Sequence, residues 1–240
     1  MGLFSNFTND SFDEQKDTLG GFTLLDSDIY DATLKFVYAN RAPSGAVSIN
    51  IIADIEGTEY REIIYITNKN GENFYYSKAN TSKKMPLPGF VTINDICTIC
   101  CQKPLSQMET ENKIANIYDP TLKKEVPTSV PALLSLCGKK IKFGILKEKR
   151  FKVESTDNGY VDTEEVQERN VINKVFNPET KQTVYEMNHN LIDPPLFADK
   201  WLEKNGGMVI DHTTKSTGNK RSSGKPVPPK KEEHKSLFNN

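Results

Sequence analysis

The sequence contains no apolar run of even 12 residues, so it offers neither a membrane span nor the hydrophobic segment of a secretory signal. A chain of this kind is expected to be soluble and cytoplasmic, with no membrane partner. Position 6 is Asn where a myristoylation motif after Gly2 needs Ser or Thr, so a lipid anchor is not expected either. Histidine is scarce: only His189, His212 and His234 are present, and no Walker loop, GxSxG, HExxH or deaminase-type zinc signature accompanies them. Asp162, Glu164, Glu165 and Glu168 form a charged run of the sort found on a solvated face. Without a nucleophile, a general base or a metal clamp the chain is expected to be no enzyme and to need no cofactor.

Cysteine is limited to Cys97, Cys100, Cys101 and Cys137, clustered rather than spread as a disulfide framework. Four thiolates suffice for a structural zinc site, but the second half of this set is one residue 36 positions on. Cys97 and Cys100 fall on the apolar face of a predicted helix, where free cysteine behaves as a small hydrophobe, and no metal is expected.

The formal net charge of −1 hides strong segregation. Residues 1–27 hold five acids (Asp10, Asp13, Glu14, Asp17, Asp26) against Lys16, a net of −4. Residues 139–152, KKIKFGILKEKRFK, hold seven bases against Glu148, a net of +6. From Thr213 onward seven bases face two acids, a net of +5. After Asp211 nothing apolar repeats, and a tail rich in Lys, Ser, Gly and Pro is expected to be disordered, because it buries too little surface to offset its conformational entropy.

Between the two charged ends the pattern is β-rich. Tyr30 to Asn40 and Ala46 to Ile55 flank turn residues and predict a hairpin, and Glu59 to Asn68 predicts a third strand. Asn70-Gly71 signals a turn leading into a shorter strand, Glu72 to Ser77. Thr92 to Gln102 carries Ile93, Ile96, Cys97 and Cys100 at helical spacing, and Pro131 to Leu136 suggests a second short helix. Ile141 to Leu146, Asn170 to Phe176 and Thr183 to Met187 predict strands, and Phe197 to Lys204 a final helix anchored by the only tryptophan, Trp201. A meander of three strands, a helix and a return to strands is the order expected of an oligonucleotide-binding (OB) barrel, although other α+β folds share it. The expected organisation is an acidic segment over 1–27, one OB-type domain over 28–211 and a basic tail over 212–240.

Basic residues interleaved with aromatics on sheet and loop positions suit sequence-tolerant binding of single strands, because cations track phosphates and rings stack on bases. The candidates are Lys35, Tyr38 and Arg41 on the first hairpin, Arg61 and Tyr65 on the third strand, and Lys69, Phe74, Tyr75, Tyr76 and Lys78 around the Asn-Gly turn. Lys83 and Lys84 follow, then Lys140, Lys142, Lys147, Lys149, Arg150 and Lys152. Alternation places Lys140 and Lys142 on the face opposite Ile141 and Phe143.

With these residues in view, the stretches IYITNKNGENFYY, LPGFVTINDIC followed by KPLSQ, KKEVPTSVPALLSLCGKKIKFGI, NVINKVFNPETKQTVYE and FADKWLEKNGG resemble the single-stranded-DNA-binding proteins of tailed bacteriophages, over roughly Ile29 to Gly207. The resemblance implies an OB fold and the coating of single-stranded DNA during phage replication or recombination, in the host cytoplasm, with no catalytic residue. The rival expectation is an OB module that recruits replication or transcription machinery. Many proteins of that family end in an acidic tail tipped by an aromatic residue, whereas this tail is basic and carries Leu237 and Phe238 near its end as a candidate docking motif for a replication or recombination partner. Deleting the tail is therefore expected to lower affinity for single-stranded DNA modestly. Its salt dependence should flatten by about 0.7 in log-log slope for each phosphate the tail no longer neutralises, as read by titration at several salt concentrations.

Overall fold

The computed structural model describes residues 24–119, 122–156 and 159–213. These described residues form ten strands: β1 (Asp28–Arg41), β2 (Val47–Ile55), β3 (Thr58–Tyr65), β4 (Phe74–Tyr76), β5 (Lys84–Pro86), β6 (Glu111–Asp119), β7 (Lys124–Ala132), β8 (Lys140–Thr156), β9 (Gly159–Phe176) and β10 (Val209–Asp211). They also form three α-helices: α1 (Pro88–Cys101), α2 (Val184–Asn188) and α3 (Phe197–Asn205). Among the described residues no helix is long and apolar enough to cross a membrane.

β1 organises the main sheet. Along one edge it pairs antiparallel with β2, which pairs with β3. Along the other edge its first half pairs with β8, from Asp28 opposite Ile145 to Thr33 opposite Lys140, and its second half meets β7 at Tyr38 opposite Ala132. A bulge between Leu34 and Phe36 lets Ala32 and Leu34 before it, and Val37 after it, reach the same buried interior. β8 pairs with β9 along a hairpin that continues past Lys149, where β8 takes β10 as a short parallel partner.

One face of this sheet encloses the core. Leu34, Ile51, Ile55, Ile141, Phe143 and Ile145 are fully buried, and α1 closes over them with Ile93, Ile96 and Cys97 at the spacing of one helical face. Each such side chain contributes about 1.5–3 kcal/mol through removal from water. Ile141 and Phe143 point inward while Lys140 is exposed and Lys142 half-buried, as strand alternation requires. Apart from this core α3 lays Ala198 and Trp201 against Leu146 and Phe176, and the Trp201 indole N–H donates to Asn173 Oδ1 at 2.8 Å. The β6–β7 hairpin folds over β1 and β2, burying Tyr38 with Val130 and Ala132 beside Phe36 and Ile52.

Several expectations are corrected. Thr183 to Met187 is no strand: Thr183 caps α2, its hydroxyl accepting the Glu186 N–H while the Glu186 carboxylate accepts the Thr183 N–H, and this capping box outweighs the β propensity of Thr, Val and Tyr. Pro131 and Ala132 finish β7, leaving only a 3-10 turn at Leu134–Leu136 in place of the expected helix. β4 does not extend the main sheet; it pairs with β5 as a separate ribbon. The β6–β7 hairpin was not anticipated, because Pro127 and Pro131 interrupt the pattern; both are accommodated within β7, opposite Asn116 and Asn112 of β6. Residues 1–23 and the tail from 214 on lie outside the described residues.

The expected barrel is not closed, for β3 and β9 share no backbone ladder. A side chain spans the gap: Glu62 of β3 accepts the Ile172 N–H of β9 at 2.8 Å and the Tyr60 hydroxyl at 2.6 Å on the same oxygen. Beside it lies a cavity of about 390 Å³ lined by Leu24, Tyr60, Arg61, Glu168 and Arg169, among others. Burial raises the Glu62 carboxyl above the ordinary carboxylate range, against the lowering effect of the Tyr60 and Ile172 hydrogen bonds and of Arg169. Because the folded-state value lies above the unfolded one, the stability linked to Glu62 is fully present below the ordinary carboxylate range and is lost as pH rises through the raised value. Urea unfolding of Glu62→Gln across that range is expected to lack this decline, so that the difference from the parent chain grows with pH. Glu62→Ala, which strands two donors at the seam, is expected to cost about 1–3 kcal/mol per donor left unsatisfied.

Candidate nucleic-acid interface

The β4–β5 ribbon is an aromatic platform built by turn chemistry. Asn68 Oδ1 accepts the N–H groups of Asn70 and Glu72, turning the chain after β3, and Gly71 takes φ +80° where a side chain would be strained. At the far end Asn80 Oδ1 accepts from Ser82, and the Lys83 N–H donates to the Asn80 carbonyl. Phe74 and Tyr76 then share one face of the ribbon, edge to face with centroids 5.7 Å apart. Lys84, paired with Tyr76 across the ribbon, sets its ammonium 4.1 Å from the Phe74 ring centroid. Tyr76 is 52% exposed, and Tyr75 is exposed on the opposite face beside Met85.

Close backbone approaches tie this platform to the end of the main sheet. The Leu87 N–H donates to the Asn73 carbonyl, placing the start of α1 beside the ribbon. Gly89, one residue into α1, rests on β3: a Cβ there would lie 2.2 Å from the Tyr65 carbonyl oxygen, so only glycine permits the contact. A Cβ on Gly45, in the β1–β2 turn, would lie 2.9 Å from the Lys69 carbonyl oxygen. Arg41 donates to the Gly45 carbonyl at 3.0 Å, which holds its guanidinium on that turn. Arg41, exposed Tyr65, Lys69, the rings of β4 and Lys84 therefore gather at one end of the molecule, with Lys78 and Lys83 exposed at the tip of the ribbon.

The other predicted residues do not join them. Tyr38 is only 8% exposed beneath the β6–β7 hairpin, and burial raises its phenol above the ordinary value; it is a packing residue, and its candidacy as a stacking ring is withdrawn. Lys35 pairs with Asp54 at 3.5 Å and Arg61 with Glu59 at 2.7 Å. The basic run on β8 is met by acids: Lys142 by Asp31, Lys147 by Asp26, Arg150 by Glu148 and Lys152 by Glu165. Lys140 is exposed and Lys149 half-buried. Cys100 Sγ approaches the Lys140 carbonyl from the last turn of α1, so this 14-residue helix, about 21 Å long at 1.5 Å per residue, separates Lys140 from the platform at the first turn. Leu237 and Phe238 lie outside the described residues.

Cys97 is buried in the core, and Cys100, Cys101 and Cys137 are half-buried free thiols. Burial, reinforced by neighbouring thiols, pushes the Cys97 and Cys100 thiols up to about 12.

Sequence reasoning missed two further groups of exposed apolar side chains. One is Ile114, Tyr118 and Leu122 at the β6–β7 hairpin, near Lys123 and Lys124. The other is Tyr185, Leu191, Ile192 and Phe197 around α2 and α3, with Lys174 and Lys200. Aromatic residues beside lysines in both segments were the available signal.

No protein-family model matches the chain, and no curated protein matches it. Tyr38→Ala is expected to cost about 3 kcal/mol in urea unfolding, in the range for emptying a large buried aromatic site, while the folded variant keeps its affinity for single-stranded DNA.

Proposed function

We propose that the chain binds single-stranded DNA without strong sequence preference, using an OB-type barrel left open at one seam. The observation that carries this reading is the β4–β5 platform, where exposed Tyr76 and half-buried Phe74 stand edge to face beside Lys84, with Tyr65, Arg41 and Lys69 on the adjoining end of the sheet. Unstacked bases offer π-faces to such rings at any sequence, and the cations neutralise the phosphates between them. The order β1-β2-β3, α1 and a return of β8 beside β1 and β9 beside β8 is what an OB barrel would display, with Glu62 linking β3 to β9 where a ladder would close it. In this reading the chain coats exposed strands in replication or recombination, as the phage proteins it resembles do.

Titration with labelled single-stranded DNA, duplex DNA and RNA at two salt concentrations tests it. Single strands should bind well above duplex, with affinity falling as salt rises. Equal affinity for duplex, or no binding at low salt, would sink the proposal. The rival, a module that recruits replication or transcription machinery with nucleic acid incidental, draws on the exposed side chains of α2 and α3, and the second of those results would favour it.

Within the platform, Tyr76→Ala and Tyr65→Ala are each expected to weaken binding by about 1–3 kcal/mol if the ring stacks on a base. Tyr75, on the opposite face of the ribbon, serves as the contrast. Both rings of the first pair are exposed, so the melting temperature should stay near that of the parent chain; unchanged affinity in both folded variants would remove the platform from the interface.

A further inference from the structure

The surface around α2 and α3 carries an apolar concavity of about 330 Å³, bordered by Tyr185, Leu191 and Phe197 and by the ammonium groups of Lys174 and Lys200. Tyr185 is 65% exposed, its ring stacked on the His189 imidazole with centroids 4.1 Å apart, and neighbouring Ile192 is 72% exposed. Large apolar groups left together in water in this way mark a contact surface. Two lysines, Lys174 and Lys200, border it. Lys174 lies 5.8 Å from the Phe197 ring centroid and 3.9 Å from Asp95. Glu186, the one carboxylate among the described residues of the wall, is buried, and its oxygens already accept the N–H and hydroxyl of Thr183 and the N–H of Phe197. The complementary occupant is a segment that combines large apolar side chains with carboxylates.

The chain supplies one. Residues 1–23 contain Phe4, Phe7, Phe12 and Phe22 interleaved with Asp10, Asp13, Glu14 and Asp17, against the single base Lys16. The other apolar pair outside the described residues, Leu237 and Phe238, belongs to a segment with seven bases and two acids, which the two lysines would repel. Position favours the acidic segment as well. Leu25 is pinned to β9 by two hydrogen bonds with the Asn170 side chain, at 2.8 and 2.7 Å. Lys174 lies four residues further along that strand, about 13 Å at 3.3 Å per residue. The chain from Phe12 to Leu24 can span up to about 40 Å, so either Phe7 or Phe12 can reach the concavity.

We propose that residues 1–23 dock onto the α2–α3 concavity of their own chain, with Phe7 or Phe12 seated against Tyr185, Leu191 and Phe197 and the neighbouring carboxylates facing Lys174 and Lys200. A tether this short gives an effective concentration on the order of millimolar, which favours the same chain over a second copy. The proposal is independent of the DNA-binding reading, since none of the platform residues takes part.

The test places a benzoylphenylalanine photocrosslinker at position 7 or position 12 of the full chain, irradiates an equal mixture of isotopically light and heavy protein, and maps the linked peptides by mass spectrometry. Crosslinks from either position into residues 174–200, joining light to light and heavy to heavy, are the expected result. The paired substitution Tyr185→Ala and Phe197→Ala should cut their yield at least fivefold. Lys200→Glu, a single change on the exposed side of α3 that spares the core, should do the same and remove the salt sensitivity of the yield. Light–heavy links making up about half of the total, the share that random pairing of copies gives, would assign the surface to a second copy and overturn the proposal. Links scattered over the molecule, or a yield indifferent to Lys200→Glu in a folded variant, would overturn it equally.

Discussion

The fold depends on β1 having both edges paired. One edge carries β2 along its length, and the other is divided between β8 and β7. The bulge at Leu34–Phe36 makes this division possible, because it turns the strand while keeping Leu34 and Val37 in the same interior. At that point the chain between β7 and β8 is stitched to β1: the Leu34 N–H donates to the Lys139 carbonyl, the Leu34 carbonyl accepts from Gly138, and the Leu133 N–H donates to the Val37 carbonyl. Every other layer is placed by this junction. α1 packs over the main core, α3 over Leu146 and Phe176 in a separate cluster, and the β6–β7 hairpin is carried across Tyr38.

A consequence is that the candidate interface rests on rigid parts without belonging to them. The β4–β5 ribbon has no ladder to the main sheet, yet it is held where α1 begins and where β3 ends, by the Leu87–Asn73 hydrogen bond and the Gly89 contact with Tyr65. A two-stranded ribbon is marginal alone in water, so its geometry is borrowed from the helix and strand that flank it. This arrangement exposes rings while fixing their spacing, which an aromatic side chain in the core does not do.

Electrostatics follow the same division. The most basic stretch of the sequence becomes β8, where carboxylates stand beside Lys142, Lys147, Arg150 and Lys152: Asp31 of β1, Asp26 before it, Glu148 of β8 itself and Glu165 of β9. Glu148 lies within 3.4 Å of Arg150, Arg169 and His212, joining β8, β9 and the residue after β10. Such pairs hold strands in register more than they offer charge to a ligand, and the exposed ones add little stability. The lysines around the small ribbon differ: Lys84 lies over a ring, and Lys69, Lys78 and Lys83 stand exposed on turns.

The sequence by itself determined the elements that local patterning dictates. The first three strands, the apolar face of α1 and the Trp201 helix follow from side-chain periodicity and turn residues, which act over a few positions of chain. The Thr183-x-x-Glu186 cap is an equally local signal, and in the fold it prevails over the β propensity of the residues around it. What only the tertiary structure decided is which side of each candidate meets water and which charge meets which. Tyr38 and Tyr65 look alike in sequence, but one is covered by a hairpin from far along the chain and the other is left open at the end of β3. Lys142 and Lys84 are both strand lysines, but Asp31 arrives across β1 for the first and the Phe74 ring across a short ribbon for the second. For Tyr38 and Lys142 the deciding partners lie far along the chain, and no local window of the sequence contains both.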